Sequence, residues 1–396
     1  MAKQLKKNGI TPRVLWVSHA FGYGGDLMYF GEIFRHFQNL FPNMGVVVDK
    51  DTPYRNDYKI HMLPIMRLFR KPLRRTTPEG QVYESEIAFP SPLLMPRLAM
   101  QQADVLIAIE FTLPALMATL VTTVMPGKKL LLLVESDPAA RGGSTNPWVR
   151  RVKSWAVRRA DAIQTNNEKG RRYLIEGLGA SPDKVLVAPY LTSRPPGPPT
   201  IPVAHGGPLR LLFANSITQR KGLAELFAAI ERLTPAVRKD VELTIVGDGP
   251  ERTQLEAIAA RMGMGDRLRF VGKCSYRELG PYYAKADILV IPSLADYRSL
   301  AGFEGLGYGL ALLSSINDGA TEETVENGVN GFTIDPANPD QIAMHIAELA
   351  ADRVRVLQMR EASLALYKRS FSMERIAENL RKSVTIAAIS VDEEIS

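Results

Sequence analysis

A single cysteine, Cys274, stands in a chain of 396 residues. That excludes a disulfide framework within the chain and suits a reducing cytoplasm. Long apolar runs are missing as well. The most bilayer-like stretch, TLPALMATLVTTV (112–124), stops at MPGKK, well short of the ~20 residues of a spanning helix, and is expected as a buried helix before the strand KLLLLVES. The basic opening MAKQLKKNGITPRVLWVSHAF is apolar only from Val14 to Val17, so no secretion segment is expected. Zinc-finger spacing, an aromatic RNA-binding signature and a clear helix-turn-helix are absent, which disfavours nucleic acid as a partner. The chain also lacks GxGxxG, low-complexity tracts and short tandem repeats, and shows no convincing Ser-His-Asp or metal-ligand set. No metal site is expected.

What is present describes a globular protein of two domains. Hydrophobic residues make up 45% and charged residues 23%, enough to bury substantial cores, and the length exceeds one ordinary core. The net charge of +7 is unevenly placed. Residues 1–190 hold 26 Lys+Arg against 16 Asp+Glu, or +10, leaving 23 against 26, or −3, for residues 191–396. A basic first half points to a polyanion or an anionic membrane surface met mainly by that half.

Short apolar runs alternate with helical spacing throughout. RVLWVS, GVVVDK, DVLIAIE, KLLLLVES, DAIQTN and KVLVAP read as strands of a parallel sheet with helices between them. In NPWVRRVKSWAVRRA, Asn146 is a cap, Pro147 opens the helix, and Trp148, Val152 and Trp155 share a face. The segment 190–208, with six prolines, is the linker. Beyond it LRLLFAN, VELTIVGDGP, LRFVG, ILVIPSL, ALLSS and GFTIDP repeat the alternation. The expected domains are 1–190, 209–371 and a last helix in 372–396 that packs back on the first domain. The expected fold class is α/β, with a parallel sheet in each domain.

Ligands of open parallel sheets sit beyond the carboxyl ends of strands, near helix starts. SITQRKG (216–222) places Arg220 and Lys221 there, able to hold a diphosphate, although an isolated RKG is more often an ordinary basic loop. VGDGPERTQLE is by itself a scaffold turn. In ADYRSLAGFEGLGYG, Asp296 falls in the loop after a strand and Glu304 within the second turn of a helix beginning near Ser299. The amides of Ser299, Leu300 and Ala301 are expected to face an anion between them. Two acids there can accept from sugar hydroxyls, or can be solvated ends of a loop and a helix.

Taken in order, LLFANSITQRKGLAELFAAI, the run from VELTIVGDGP to ADILVIPSL, DYRSLAGFE, GLGYGLALLSS and GATEETVENGVNGF resemble the retaining glycosyltransferases of family 4. The resemblance is strongest over 209–350. It implies the GT-B fold, two Rossmann-like domains whose parallel sheets face across a cleft, with the acceptor on the N-terminal side and a nucleotide sugar on the C-terminal side. It gives Lys221 the donor diphosphate, Asp296 the hydroxyls of the transferred sugar and Glu304 the ribose. Gly24 and Gly25 of FGYGGD match the family's glycine loop near phosphate and acceptor. Three departures stand out. Asp296 replaces a Glu, and Ser216 an Arg for which Arg220 can compensate. Glu135, Ser136 and Asp137 occupy the region of a first-domain His, for which His19 is the neighbouring candidate.

The expected reaction is transfer of a sugar from a nucleotide-diphosphate donor to an acceptor hydroxyl with retention, metal-independent and without a cofactor. Lys221, Arg220 and helix amides offset the charge of the leaving diphosphate. Two alternatives stay open: a sugar-nucleotide epimerase of the same fold, and a catalytically weak nucleotide-sugar-binding subunit. MLPIMRLFRKPLRRT (62–76), with five cations, is either an anionic lipid or glycan contact or an exposed loop, and Pro64 and Pro72 argue against one helix. A cytoplasmic protein, peripheral on the membrane, with a glycan or lipid-linked acceptor, is expected.

Overall fold

A computed structural model describes residues 11–17, 36–49, 61–65, 67–76, 82–135, 146–197 and 206–389. Between 61 and 88 only Leu63 and Leu68 are described beyond the backbone. The chain divides into two compact units, Met1–Leu191 with Met373–Ser396, and Thr192–Ser372.

The first unit is built on β1 (Val14–Val17), β2 (Gly45–Asp49), β3 (His61–Ile65), β4 (Arg67–Thr76), β5 (Val82–Pro90), β6 (Val105–Ile109), β7 (Lys129–Val134), β8 (Ala162–Thr165) and β9 (Val185–Val187). Seven of these form a parallel sheet in the order β3-β2-β1-β6-β7-β8-β9. Alternate residues feed two cores. Leu15, Leu106, Leu130 and Leu132 pack under α1 (Leu94–Met100) and α2 (Leu113–Val124). Trp16, Ile107, Leu131 and Leu133 face the C-terminal helix Met373–Ile389, which supplies Ile376, Leu380 and Val384. Continuous apolar strands are what a sheet covered on both faces requires.

Two expectations fail in this unit. The stretch 62–76 is neither loop nor helix: it lies mostly in β3 and β4, and β4 pairs antiparallel with β5. Both prolines fit because, among the described residues, β3 is an edge strand and the β4-β5 ribbon has two strands, so a missing N–H breaks no central ladder. The helix α3 (Pro147–Arg159) is capped as expected, Asn146 Oδ1 accepting from the Trp148 N–H at 2.9 Å. Its inward residues are instead Ala156 and Val157, whereas Trp148 is 71% and Val152 41% exposed. Apolar spacing at the first turn does not fix which side meets the sheet.

The second unit orders its parallel strands β12 (Leu268–Gly272), β11 (Val241–Val246), β10 (Leu209–Ala214), β13 (Ile288–Ile291), β14 (Ala311–Ser315) and β15 (Gly331–Ile334). The helices α4 (Leu223–Arg232), α5 (Arg252–Ala259), α6 (Tyr276–Lys285) and α7 (Leu300–Gly307) connect them. Leu211, Phe213, Leu243, Ile245 and Val290 form one core with Leu226, Phe227 and Leu255; Leu212, Leu289 and Leu312 form the other with Tyr283, Phe303 and Leu306. From β10 the strand order runs outward in both directions. The gap beyond the carboxyl ends of β10 and β13 is therefore a topological switch point, where an open sheet leaves a crevice.

Candidate functional site

The residues after β10 and β13 meet at that switch point. After β10 the chain makes a short turn, Gln219–Lys221, and passes through Gly222 at φ 72° into α4. Only glycine fits there, since a Cβ would lie 1.8 Å from the carbonyl oxygen of Pro292. This contact presses the RKG turn onto the loop that follows β13. Two hydrogen bonds reinforce it: the Leu294 N–H donates to the Arg220 carbonyl at 2.9 Å, and the side-chain Arg220 Nη1 donates to the Ala295 carbonyl at 2.8 Å.

Asp296 then receives both cations. Lys221 Nζ donates to its Oδ2, and Arg220 Nη1 lies 2.9 Å from its Oδ1, which also accepts the Tyr297 N–H at 2.9 Å. Burial works against the charge of Asp296, but Lys221 and Arg220 outweigh it and hold the carboxyl below the usual range. The Lys221 and Asp296 side chains are only 9% and 10% exposed. An ammonium and a guanidinium carry several donors each, and Asp296 takes only part of them. The triad can therefore keep both cations fixed and still present N–H groups to an anion.

Glu304 sits apart from this triad. It is buried, and its oxygens accept from Ser193 Oγ at 2.7 Å and from the Tyr283 hydroxyl. Burial pushes its carboxyl up, opposed by those two hydroxyl bonds. Ser299 begins α7, but its N–H is not turned to a ligand: it donates to Asp318 Oδ1 at 3.0 Å. This corrects the expected anion-facing amide. Leu300 and Ala301 form the first turn of α7, and Ser216 is exposed in the loop after β10. Gly24, Gly25, His19, Ser136 and Asp137 lie outside the described residues. Glu135 follows β7, its N–H donating to Glu110 Oε1 at 2.6 Å.

Sequence reasoning missed Asp318. Its Oδ1 also accepts the Ala320 N–H at 2.9 Å, and the segment 317–319 runs beside Asp296: the Asp296 N–H donates to the Asn317 carbonyl at 3.0 Å and Gly319 N–H to the Asp296 carbonyl at 3.1 Å. A Cβ on Gly319 would lie 2.0 Å from the Tyr297 carbonyl. The available signal was the Asn-Asp-Gly turn chemistry after a buried strand. Nearby, Arg298 and Glu323 form a buried two-point ion pair, Nη2–Oε2 at 2.7 Å and Nε–Oε1 at 2.9 Å.

Comparison with known proteins bears on the family and the fold. Residues 201–365 match the family model described as "Glycosyl transferases group 1". The chain is 28% identical over 276 residues to a D-inositol 3-phosphate glycosyltransferase of Geodermatophilus obscurus, covering 65% of this chain and 60% of that protein. It is 29% identical over 228 residues to a 2-deoxystreptamine glucosyltransferase of Streptomyces kanamyceticus, covering 54% and 55%. The chain thus spans little more than half the length of these relatives. Among solved structures, Anabaena Alr3699/HepE in complex with UDP superposes with a TM-score of 0.72 at 16% identity, over 94% of this chain and 99% of that one. The same protein in complex with UDP-glucose gives 0.67. Residues 201–365 are thus similar to group 1 glycosyl transferases, and the chain has the GT-B fold.

Proposed function

We propose that the protein transfers a sugar from a nucleotide-diphosphate donor to a hydroxyl of a glycan or lipid-linked acceptor, as a hexosyltransferase with retention of anomeric configuration and without a metal. The observation that carries this reading is the meeting of Arg220, Lys221 and Asp296 at the switch point between β10 and β13. Support comes from the named activities of the two relatives and from the UDP and UDP-glucose held by the structural neighbour.

In this reading Lys221 and Arg220 hold the diphosphate and offset the charge that grows on it as the sugar leaves. Asp296 fixes both cations beforehand, so little reorganisation is needed when charge develops. Asp296 gives both oxygens to the cations and one of them also to the Tyr297 N–H, which leaves less of its acceptor capacity for the sugar hydroxyls. The acceptor hydroxyl attacks on the face the diphosphate leaves and passes its proton to a departing phosphate oxygen. Glu304 serves the ribose end, and Gly24 and Gly25 the phosphate and acceptor end.

Incubation with labelled nucleotide sugars and a lipid or glycan extract tests the reaction. The expected result is acceptor-dependent product with retained configuration, reduced by at least ~100-fold in Lys221→Ala and in Asp296→Ala. Donor turnover without acceptor would indicate an epimerase, and binding without turnover a binding subunit. Full activity in both variants would refute the site.

The acceptor side is proposed to touch an anionic membrane surface. Besides the cations of β4, α3 exposes Trp148, Val149 and Val152 next to Arg150 and Arg151, a combination suited to an anionic interface. Neutralising Arg67, Arg70, Lys71, Arg74 and Arg75, or replacing Trp148 with Ser, is expected to lower sedimentation with anionic vesicles severalfold. Unchanged sedimentation in both would remove the membrane from the proposal. No described helix is long and apolar enough to cross a membrane.

A further inference from the structure

Asp318 belongs to none of the roles assigned above, yet it is tied to the site on three sides. It is 3% exposed, and one oxygen, Oδ1, accepts both the Ser299 and Ala320 N–H groups. It thereby joins the start of α7 to the turn after β14. Its backbone runs alongside that of Asp296. The other oxygen, Oδ2, is buried with no hydrogen-bond partner among the described residues. A buried carboxylate oxygen without a partner costs free energy, and taking a proton removes the larger part of that cost, the part due to buried charge.

The surrounding charges show when that happens. Asp296, from the loop after β13, repels a charge on Asp318, and Lys221, from the loop after β10, favours it. Arg220 is paired with Asp296, while Arg298 and Glu323 neutralise one another. Two acids, Asp296 and Asp318, thus stand against two bases, Arg220 and Lys221, and the group as a whole is neutral. A nucleotide sugar brings two negative charges on its diphosphate to the same two bases. Their attraction is then shared with the ligand, and the acid with an unpartnered oxygen is the one most readily neutralised.

We propose that Asp318 is a positioning residue for the donor site: it holds the Asp296–Ser299 loop over Arg220 and Lys221, and Oδ2 takes a proton from solvent when a nucleotide sugar binds. The inference rests on the donor-site reading above. Burial, and then the neighbouring Asp296, push the carboxyl up to about 6 before any ligand is bound, so uptake falls near neutral pH. The sign follows from linkage: a complex that holds more protons than its free components tightens as pH falls. The window runs from the free carboxyl's value, about 6, upward to the higher value it takes beside the bound diphosphate. The diphosphate of a nucleotide sugar does not titrate there, which keeps the measurement clean.

The test is calorimetric titration with UDP-glucose and with GDP-mannose at pH 6, 7 and 8, in buffers of different ionisation enthalpy. The wild type should bind ~3- to 10-fold more tightly at pH 6 than at pH 8, within the ~10-fold per pH unit limit of one proton, and should take up part of a proton at pH 7. Asp318→Asn keeps an oxygen for the two amides but cannot titrate, so its affinity should change less than about twofold over that range. Asp318→Ala loses the amide bonds as well and should bind more weakly than Asp318→Asn at every pH. Equal pH slopes in wild type and Asp318→Asn would overturn the proton role, and equal affinities for Asn and Ala the positioning role. If neither nucleotide sugar binds, the donor reading fails, and carboxyl NMR titration of the unliganded protein then decides the rest: an Asp318 that titrates in the ordinary aspartate range overturns the inference.

Discussion

Glu304 and Asp296 show how differently two carboxylates in one motif are held. Asp296 is kept charged by cations, whereas Glu304 is buried among hydroxyls, where burial raises its carboxyl. In the folded state Glu304 therefore keeps its proton to higher pH than in the unfolded chain. Its ionisation costs stability progressively as pH rises from the ordinary carboxyl range through the folded value. Glu304→Gln removes that cost and can still engage Ser193 and Tyr283. Its stability relative to wild type, followed by urea denaturation from pH 4 to 8, should improve as pH rises. Glu304→Ala leaves the Tyr283 hydroxyl without its carboxylate and opens a cavity, for a loss of about 2–4 kcal/mol at neutral pH. If Glu304 also serves the ribose, Glu304→Gln weakens donor binding while stability holds, a split that a purely structural Glu would not give. The spacing of Asp296 and Glu304 was visible in the sequence because one loop and one helix carry both. Asp318 was not, because it reaches Asp296 only through the pairing of β13 with β14.

At the level of elements, what was legible follows from local chemistry. The Asn146 cap and Pro147 opening of α3 and the apolar parallel strands are written in a capping residue and apolar runs. The β4-β5 ribbon was not legible, since prolines and cations break the alternation by which a strand is recognised. The close approach at Gly222 was equally hidden: the RKG turn shows a glycine, but not the Pro292 carbonyl that excludes a side chain. Gly222→Ala combines a positive φ with that clash, so its cost should exceed the ~1 kcal/mol of an ordinary glycine replacement. Because the RKG turn must then lift from Pro292, Arg220 and Lys221 would lose their fixed distance to Asp296. The variant should be less stable in denaturant titrations and bind a nucleotide sugar at least ~10-fold more weakly. A variant with wild-type stability and donor affinity would mean that the turn is not set by this contact.

For the whole molecule, the consequential feature is that the chain returns to its first unit after completing the second. The C-terminal helix Met373–Ile389 buries Ile376, Leu380, Val384 and Ala387 against the core that holds Trp16, Ile107 and Leu131. Three of these are large aliphatic side chains with no exposure, and each contributes ~1.5–3 kcal/mol on burial. Their sum is comparable to the ~5–15 kcal/mol by which a domain is stable at all. The second unit draws its cores from residues up to Phe371 and owes the helix none of them. A chain ending at Ser372 should therefore fail in one unit only. Hydrogen exchange by mass spectrometry should show β6, β7 and β8 losing most of their protection while β10, β11 and β13 keep theirs. Affinity for a nucleotide sugar, if held by the second unit alone, would persist, whereas transfer to an acceptor would be lost. Uniform loss of protection across both units would mean instead that they fold as one cooperative body, and the donor site could not then be studied apart from the acceptor side.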